Sequence, residues 1–442
     1  MMIFKKLSWQ KIFLTSFLAY LAIVPSGCNP SKILSGLPFI KPPVKKVELT
    51  YWGLFEPVEV MTPLIEEYQK ANPHIKINYE QRAYSSLAQH KETLLTRLRE
   101  GTGPDIFRLH HTWIPQFASE LSPLPSEVMS SAEFANTFHA PLQNLLSDQG
   151  QLYAIPLMYD GLMLFYNQKH FEEAGITRPP TDWEEFRDAA VRLTQTDETT
   201  QKITRAGAAI GAADNVIHFS DILGLMWVQS QVDFPDALTS SSARDALVFY
   251  TNFVTKDKVW DPTFPDSIYA FSQSRVAMIF APSWRVFDIQ NLNPGLNFGT
   301  AAVPQIPALP SAETAATNWA SFWAEGVNLD SKNAAEAWKF LKFLSEPENM
   351  RLLYSEEAKL REFGEPYSRK DLGEVLLTNN YLAPLIDGAP TATSAIITDA
   401  AGNDVYVEAV GEAVNSVLQG KDVDQALTTL KTTVERSGSV GR

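Results

Sequence analysis

The side chains that most often carry out chemistry are few in this sequence, and they match no catalytic signature. The seven histidines include one adjacent pair, His110 and His111. Neighbours on a β-strand point to opposite faces, so this pair does not readily chelate one metal ion. The sequence has no H-E-x-x-H, G-x-S-x-G or G-x-x-x-x-G-K-S/T motif, which mark zinc hydrolases, serine hydrolases and phosphate loops. We therefore predict neither a metal site nor a cofactor.

Three polar residues each allow a functional and a structural interpretation. His110 and His111 can end a strand with one ring packed and the other solvated, or they can contact a ligand. Asp160 lies between apolar strand segments and is either a functional acid or a turn residue. Two carboxylates a few ångströms apart suffice for glycoside hydrolysis, and sequence spacing does not reveal such a pair. An extracellular carbohydrate-active hydrolase is therefore one alternative.

The single cysteine, Cys28, follows a segment typical of secretory signals. Three lysines precede the apolar run 12–24, and small residues lead into the cysteine, which is the order of a signal peptide. A small-residue segment before one cysteine resembles the bacterial lipoprotein signal, in which the thiol is acylated. We predict a signal peptide over 1–27, lipidation of Cys28 and a proline-containing tether over 28–46. The body would then lie outside the cytoplasm, anchored to the outer face of the membrane by the lipid or by an uncleaved signal anchor.

Composition limits the classes of fold and partner. The chain has 442 residues, with 37 Lys+Arg against 51 Asp+Glu and a formal charge of −14, which argues against nucleic acid as a partner. Its length allows two or three domains. The 10 Trp, 14 Tyr and 25 Phe supply ample core material, and surplus Trp and Tyr often line binding sites.

Strand and helix patterns alternate along the body. Alternating apolar residues predict strands over 47–51 and 74–79 and a third strand from Asp105, with amphipathic helices between them. This order predicts an open, largely parallel α/β sheet. A second α/β unit follows, in which strands are predicted over 162–166 and 275–280.

Seven ordered segments of the chain resemble one family. They are Gly101–Ile106 with Trp113–Phe117, Tyr153–Pro156 with Leu164–Asn167, Phe171–Ile176, Pro180–Phe186, Ala277–Phe280 with Ser283–Trp284, Ala334–Ser345 and Gly420–Leu427. In this order they are similar to segments of the bacterial extracellular solute-binding proteins, family 1. These proteins are the ABC-importer receptors that include maltose-binding protein.

The resemblance implies a two-lobed α/β fold of the periplasmic-binding-protein type (type II). Each lobe would be a sheet flanked by helices, with a hinge at the crossover segments, one of which is Pro156–Gly161. Lobe one would comprise 47–158 plus 304–346, and lobe two 159–303 plus 347–442. The implied function is non-catalytic: a monomer binds a small-molecule solute, a carbohydrate such as an oligosaccharide, and delivers it to ABC permease subunits. A receptor for a non-sugar solute is another alternative.

Candidate ligand-binding residues lie where the predicted strands end, because open α/β sheets bind ligands there. They are Trp52, Glu56, His110, His111, Trp113, Tyr159, Asp160, Trp284, Arg285, Trp319 and Trp323. The resemblance also implies a ligand-stacking role for Trp284, by its position, and a polar contact from Asn215. Aromatic rings suit the C–H faces of sugars, and polar side chains suit the hydroxyls. Core packing is the alternative for Trp52, Trp113, Trp319 and Trp323, the last two on one strand face. For Trp284 the alternative is a core residue that caps the sheet, and for Asn215 it is a loop role.

Overall fold

The computed structural model describes residues 45–307 and 316–439. The predicted signal peptide, Cys28 and nearly all of the tether lie outside the described residues and stay predictions. The chain divides into two units, residues 1–47 and 48–442, and the second unit contains every element below except the first residue of β1. No helix in the described ranges combines the length and the apolar content that crossing a membrane requires.

Helices make up most of the described elements. In chain order they are α1 Val58–Ala71, α2 Leu87–Arg99, α3 Ile114–Phe117, α4 Ser131–Thr137, α5 Ala140–Leu145, α6 Gln168–Glu173, α7 Trp183–Leu193, α8 Phe219–Gln229, α9 Ser241–Thr255, α10 Ser267–Ser272, α11 Arg285–Leu292, α12 Ala334–Leu344, α13 Pro347–Glu357, α14 Lys370–Leu376, α15 Ala383–Gly388, α16 Asp404–Leu418 and α17 Val423–Ser439. Amphipathic spacing explains α1, whose residues Met61, Leu64, Ile65 and Tyr68 are buried as the pattern predicts.

The strands are shorter and lie mostly in two sheets. In chain order they are β1 Val47–Gly53, β2 Ile75–Gln81, β3 Ile106–His110, β4 Ser147–Asp148, β5 Gln151–Leu152, β6 Ala154–Ile155, β7 Met163–Asn167, β8 Gln195–Thr196, β9 Ile203–Ala208, β10 Val276–Ala281, β11 Phe298–Ala301, β12 Asn318–Trp319, β13 Trp323–Val327 and β14 Ala392–Thr393. The first five-stranded sheet has the order β2-β1-β3-β13-β6, and the second has the order β11-β7-β10-β9-β8.

Both sheets are mixed, so the prediction of a largely parallel sheet is wrong. In the first sheet β1 and β3 are parallel, whereas β13 runs antiparallel to both β3 and β6. In the second sheet β10 is parallel to β9 and antiparallel to β7. Alternation of apolar residues shows which face of a strand is buried, but the connections determine its direction.

The chain crosses from the first sheet to the second between β6 and β7, and it returns before β13. The two crossing segments lie side by side, because Leu162 N–H donates to the Trp319 carbonyl at 3.0 Å and Ser321 N–H donates to the Asp160 carbonyl at 2.9 Å. Gly161 is required here, since a Cβ atom would lie 2.2 Å from the Trp319 oxygen. The two crossing segments therefore form a hydrogen-bonded pair. The exact lobe boundaries stay a prediction.

Candidate functional site

A cavity of about 360 Å³ lies among the ends of both sheets and the crossing segments. This volume is in the range of small-molecule sites. Its lining residues come from distant parts of the sequence. They are Phe55, Tyr84, Leu87, Met158, Asp160, Leu162, His218, Asp221, Pro282, Trp284, Phe287, Asp288, Trp319, Ser321, Trp323, Arg361, Glu365, Asp399 and Ala400.

Three tryptophans border this cavity, and all three were candidates from the sequence. Trp284 follows β10 and is half-buried, whereas Trp319 ends β12 and Trp323 begins β13. Trp319 and Trp323 therefore belong to separate strands, so the expectation that they share one strand face is wrong. Phe55 packs edge-on against Trp323 with 5.2 Å between the ring centroids. The cavity thus has aromatic side chains from both sheets.

Arg285 holds the position of Trp284. Its guanidinium carbon lies 3.9 Å from the centre of the indole. Its Nε donates to Nε2 of His218 at 3.1 Å, and Nη1 donates to Asp288 at 2.8 Å. Arginine only donates, so in the neutral form of His218 Nε2 accepts and the ring proton lies on Nδ1. Arg285 is not a lining residue of the cavity, but it fixes the indole of Trp284, which is a lining residue.

His218 joins two aspartates at the edge of the cavity. Its Nδ1 lies 3.3 Å from Asp221 and 3.2 Å from Asp399, and Trp319 Nε1 donates to Asp221 at 2.7 Å. Burial lowers the pKa of His218, but the hydrogen bonds to both aspartates outweigh it and raise the pKa above 6.5. Burial raises the pKa of Asp221 to about 6. Burial also acts to raise the pKa of Asp399, but the hydrogen bond to His218 lowers it to about 2.

These three residues could offer ligand atoms within 4.8 Å of one another. Their facing atoms already bond to each other, however, and Arg285 places a positive charge against His218. A metal ion would have to displace these partners. We therefore describe the group as a hydrogen-bond network that shapes the cavity edge.

Asp160 connects the crossing segment to the residue before Trp284. Its carboxylate accepts from Gly161 N at 2.7 Å, from Ser283 N at 3.0 Å and from Ser283 Oγ at 2.8 Å. Burial raises the pKa of Asp160 to about 7, although the bonds from Ser283 and Gly161 oppose this shift. The carboxyl group borders the cavity and also holds Ser283, which follows β10, against the crossing segment.

Replacing Asp160 with asparagine is expected to change the pH dependence of stability. The pKa of Asp160 is raised from 3.8 to about 7 in the folded protein, so the folded state binds this proton more tightly than the unfolded chain does. The difference in free energy of unfolding, wild type minus Asp160→Asn, should therefore fall as the pH rises from about 4 to about 7. Above about pH 7 this difference should stay level. Urea titrations of both proteins at several pH values measure the difference, and a pH-independent difference would contradict it.

Four other predicted residues lie buried behind the cavity wall. His110 and Trp113 each pack edge-on against Trp323 at 5.2 Å. His111 stacks on Phe322 at 4.6 Å, and Tyr159 lies 6.1 Å from the same ring. The expectation of one solvated histidine is wrong, because His110 is 1% exposed and His111 3%. Burial lowers the pKa of both imidazoles, to about 3 for His111.

The remaining three predicted residues lie away from the cavity lining. Trp52 borders a separate surface depression, with Arg82 4.2 Å from its ring centre. Asn215 accepts from Trp260 Nε1 at 2.8 Å and donates to two backbone carbonyls at 3.0 Å. Glu56 is buried in an ion pair with Arg108. The structure gives each of the three a local packing or hydrogen-bonding role.

Sequence reasoning missed most of the polar lining. His218 and Asp221 are spaced i, i+3 at the start of α8, which places them on one helix face, and this spacing is a signal that was available. Asp399, Arg361 and Glu365 lie in loops after α13 and β14. No local pattern marks them, because only the tertiary fold brings these loops to the cavity.

The sequence profile of the bacterial extracellular solute-binding proteins matches residues 55–351 of this chain. The chain belongs to that family. A solute-binding protein of this family acts outside the cytoplasm, and the family is one of binding proteins rather than enzymes.

Individual relatives of this solute-binding protein are distant. A Brucella abortus (strain 2308) protein described as a binding protein is 25% identical over 352 residues, covering 74% of this chain and 81% of that protein. A maltotriose-binding protein of Pyrococcus abyssi (strain GE5 / Orsay) is 23% identical over 326 residues, covering 69% and 64%. The crystal structure of a cyclo/maltodextrin-binding protein complexed with maltotetraose has a TM-score of 0.71 at 18% identity, covering 90% of this chain and 98% of that one. The predicted two-lobed α/β fold is confirmed.

Proposed function

We propose that this solute-binding protein captures an oligosaccharide in the cavity and delivers it to the permease subunits of an ABC importer. The observation that carries the proposal is the lining, in which the half-buried indole of Trp284 and the buried indoles of Trp319 and Trp323 lie beside hydrogen-bonding carboxylates and a histidine. Flat indoles cover the C–H faces of pyranose rings, and the polar groups between them accept and donate to hydroxyls. A polar group of the lining left unpaired in a closed site costs roughly 1 to 3 kcal/mol, so such a lining selects polyols over apolar solutes.

The ligands of two similar proteins support the same ligand class. The Pyrococcus abyssi relative is a maltotriose-binding protein, and the cyclo/maltodextrin-binding protein was crystallised with maltotetraose. A cavity of about 360 Å³ also suits a small oligosaccharide. Closure of the lobes around it would be a shift of population toward the form in which both lobes contact the ligand.

The cavity acids favour binding over hydrolysis. All five acids of the lining have partners. Asp221 and Asp399 both hydrogen-bond His218, and Asp160 accepts from Ser283. Asp288 pairs with Arg285, and Glu365 pairs with Arg361. A general acid and a general base or nucleophile would instead need carboxyl groups free to reach the glycosidic oxygen and a water molecule. We therefore propose that the protein is not an enzyme.

The membrane attachment belongs to the same proposal. Lipidation of Cys28 would hold a monomeric receptor at the outer face of the cell membrane, close to the permease. The tether of residues 28–46 contains four prolines, which would space the body from the lipid surface. Both lobes would then dock on the permease subunits when the ligand is bound.

Calorimetric titration of the purified full-length protein against a panel of sugars tests the function. We expect heat and a rise in the thermal unfolding midpoint with at least one oligosaccharide, because ligand bound to the folded state stabilises it. Chromatography of the sugar after long incubation should show it unchanged. A response to another solute class and to no sugar would contradict the ligand, and accumulation of cleaved sugar would support the hydrolase instead.

A further inference from the structure

A second cluster of charged side chains lies beside the cavity, where α13 meets the start of α1. Glu56 precedes α1, Glu357 ends α13 and Glu365 lies in the loop that follows. Each of these three residues, here called the acidic cluster, offers one oxygen that lies within 4.8 Å of the other two. They border a small cavity of about 210 Å³ next to Phe55.

Two carboxylates of the acidic cluster have a buried oxygen that lacks a hydrogen-bond partner among the described residues. These atoms are Oε2 of Glu56 and Oε1 of Glu357, and both residues are 3% exposed. The other oxygens are occupied: Glu56 pairs with Arg108 through Oε1, and Oε2 of Glu357 accepts from the backbone of Glu365 at 2.5 Å. Buried polar atoms are almost always paired, so two such oxygens, on residues that border one small cavity, point to a ligand between them.

The surrounding arginines compensate the charge only in part. Arg108 pairs with Glu56 and Glu325. Arg361 lies 3.3 Å from the carboxylate of Glu357 and 2.9 Å from that of Glu365. Four carboxylates therefore share two guanidinium groups, which leaves two negative charges uncompensated when all of them are ionised.

We propose that the acidic cluster binds a hard divalent cation of the size of Ca²⁺, with Glu56, Glu357 and Glu365 as its protein ligands. Ca²⁺ takes carboxylate, carbonyl and water oxygens at about 2.3 to 2.6 Å, so two of its ligand atoms can be up to about 5 Å apart, as the cluster spacing requires. Mg²⁺ needs shorter bonds of about 2.0 to 2.1 Å and near-ideal octahedral geometry. The set lacks nitrogen and sulfur ligands, which zinc prefers.

The cation would join two parts of the chain that both border the ligand cavity. Glu56 follows the Phe55 ring that packs on Trp323, while Glu365 lines both cavities. A cation bound to the cluster would hold the loop after α13 against the loop before α1. This inference does not depend on which solute occupies the larger cavity.

Calcium titration of the full-length protein after dialysis against EDTA tests this site. We expect one Ca²⁺ per chain and a higher thermal unfolding midpoint in its presence, with weaker binding of Mg²⁺. Loss of a residue that only supports a metal ligand weakens metal binding by roughly 10- to 100-fold. Glu357→Gln removes a proposed ligand itself, so it should weaken Ca²⁺ binding at least as much. Glu365→Gln, at a less buried cluster position, provides a second variant should Glu357→Gln not fold.

The matched control is Glu356→Gln, which removes a carboxylate one residue away on the same helix. Glu356 pairs with Lys359 at 2.5 Å and is not a member of the acidic cluster, so this variant should bind Ca²⁺ like wild type. Absence of heat and of any midpoint shift with Ca²⁺, Mg²⁺ and Mn²⁺ would overturn the proposal. Equal Ca²⁺ affinity of wild type and the folded Glu357 or Glu365 variant would also overturn it, because the ions would then bind at surface acids.

Discussion

Trp284→Ala is expected to weaken binding of the cognate sugar by about 30- to 150-fold. Removing an indole from the ligand interface forfeits roughly 2 to 3 kcal/mol of apolar contact and ring stacking. The side chain is half-buried and stacks with Arg285 at 3.9 Å, so its loss should affect the cavity more than the fold. Calorimetric titration with the sugar that binds wild type measures the affinity.

Trp52→Ala is the matched control for this prediction. Trp52 is also half-buried and also has an arginine over its ring, Arg82 at 4.2 Å, but it borders a separate surface depression. Replacing Trp52 should lower the affinity for the sugar less than twofold, which is within the range of substitutions far from a binding site. Equal losses of sugar affinity in the two variants would mean that a general destabilisation of the fold, rather than contact with the sugar, explains the effect of Trp284→Ala.

Arg108→Met is expected to lower the free energy of unfolding by about 3 to 5 kcal/mol, because it leaves two buried carboxylates without their partner. Arg108 is 2% exposed and pairs with Glu56 and with Glu325, to which its Nε donates at 2.7 Å. Burial raises the pKa of Glu325 even with Arg108 beside it. The loss should therefore shrink in acid, where the Glu325 carboxylate takes up a proton. Urea titrations at neutral and acidic pH measure both effects.

Two further variants determine whether buried charge is the cause. Arg99→Met breaks an exposed ion pair with Glu120 at 3.4 Å and should cost at most about 1 kcal/mol. Arg108→Met combined with Glu325→Leu removes one stranded carboxylate and should recover part of the lost stability. If the double variant is no more stable than Arg108→Met alone, lost packing of the long arginine side chain is the better explanation.

The sequence predicted those features that arise from neighbouring residues. Periodic apolar spacing located β1, α1, β2 and β10, because burial of one face leaves a local pattern in the chain. The ordered segments predicted the family and the fold, and the position of Trp284 after β10 predicted an aromatic side chain that the structure places at the cavity. Trp319 and Trp323 also reached the cavity, although their separation onto two strands was not predicted.

Features that depend on distant pairs required the tertiary structure. The antiparallel insertion of β13 beside β3 sets Glu325 opposite Arg108, and nothing local to either strand encodes that pairing. The same insertion buries His110 and Trp113 behind Trp323 instead of exposing them to a ligand. By itself the sequence determined where elements form and which solute-binding family they build. The structure decided which polar groups meet, because burial and partner choice depend on contacts between residues hundreds of positions apart.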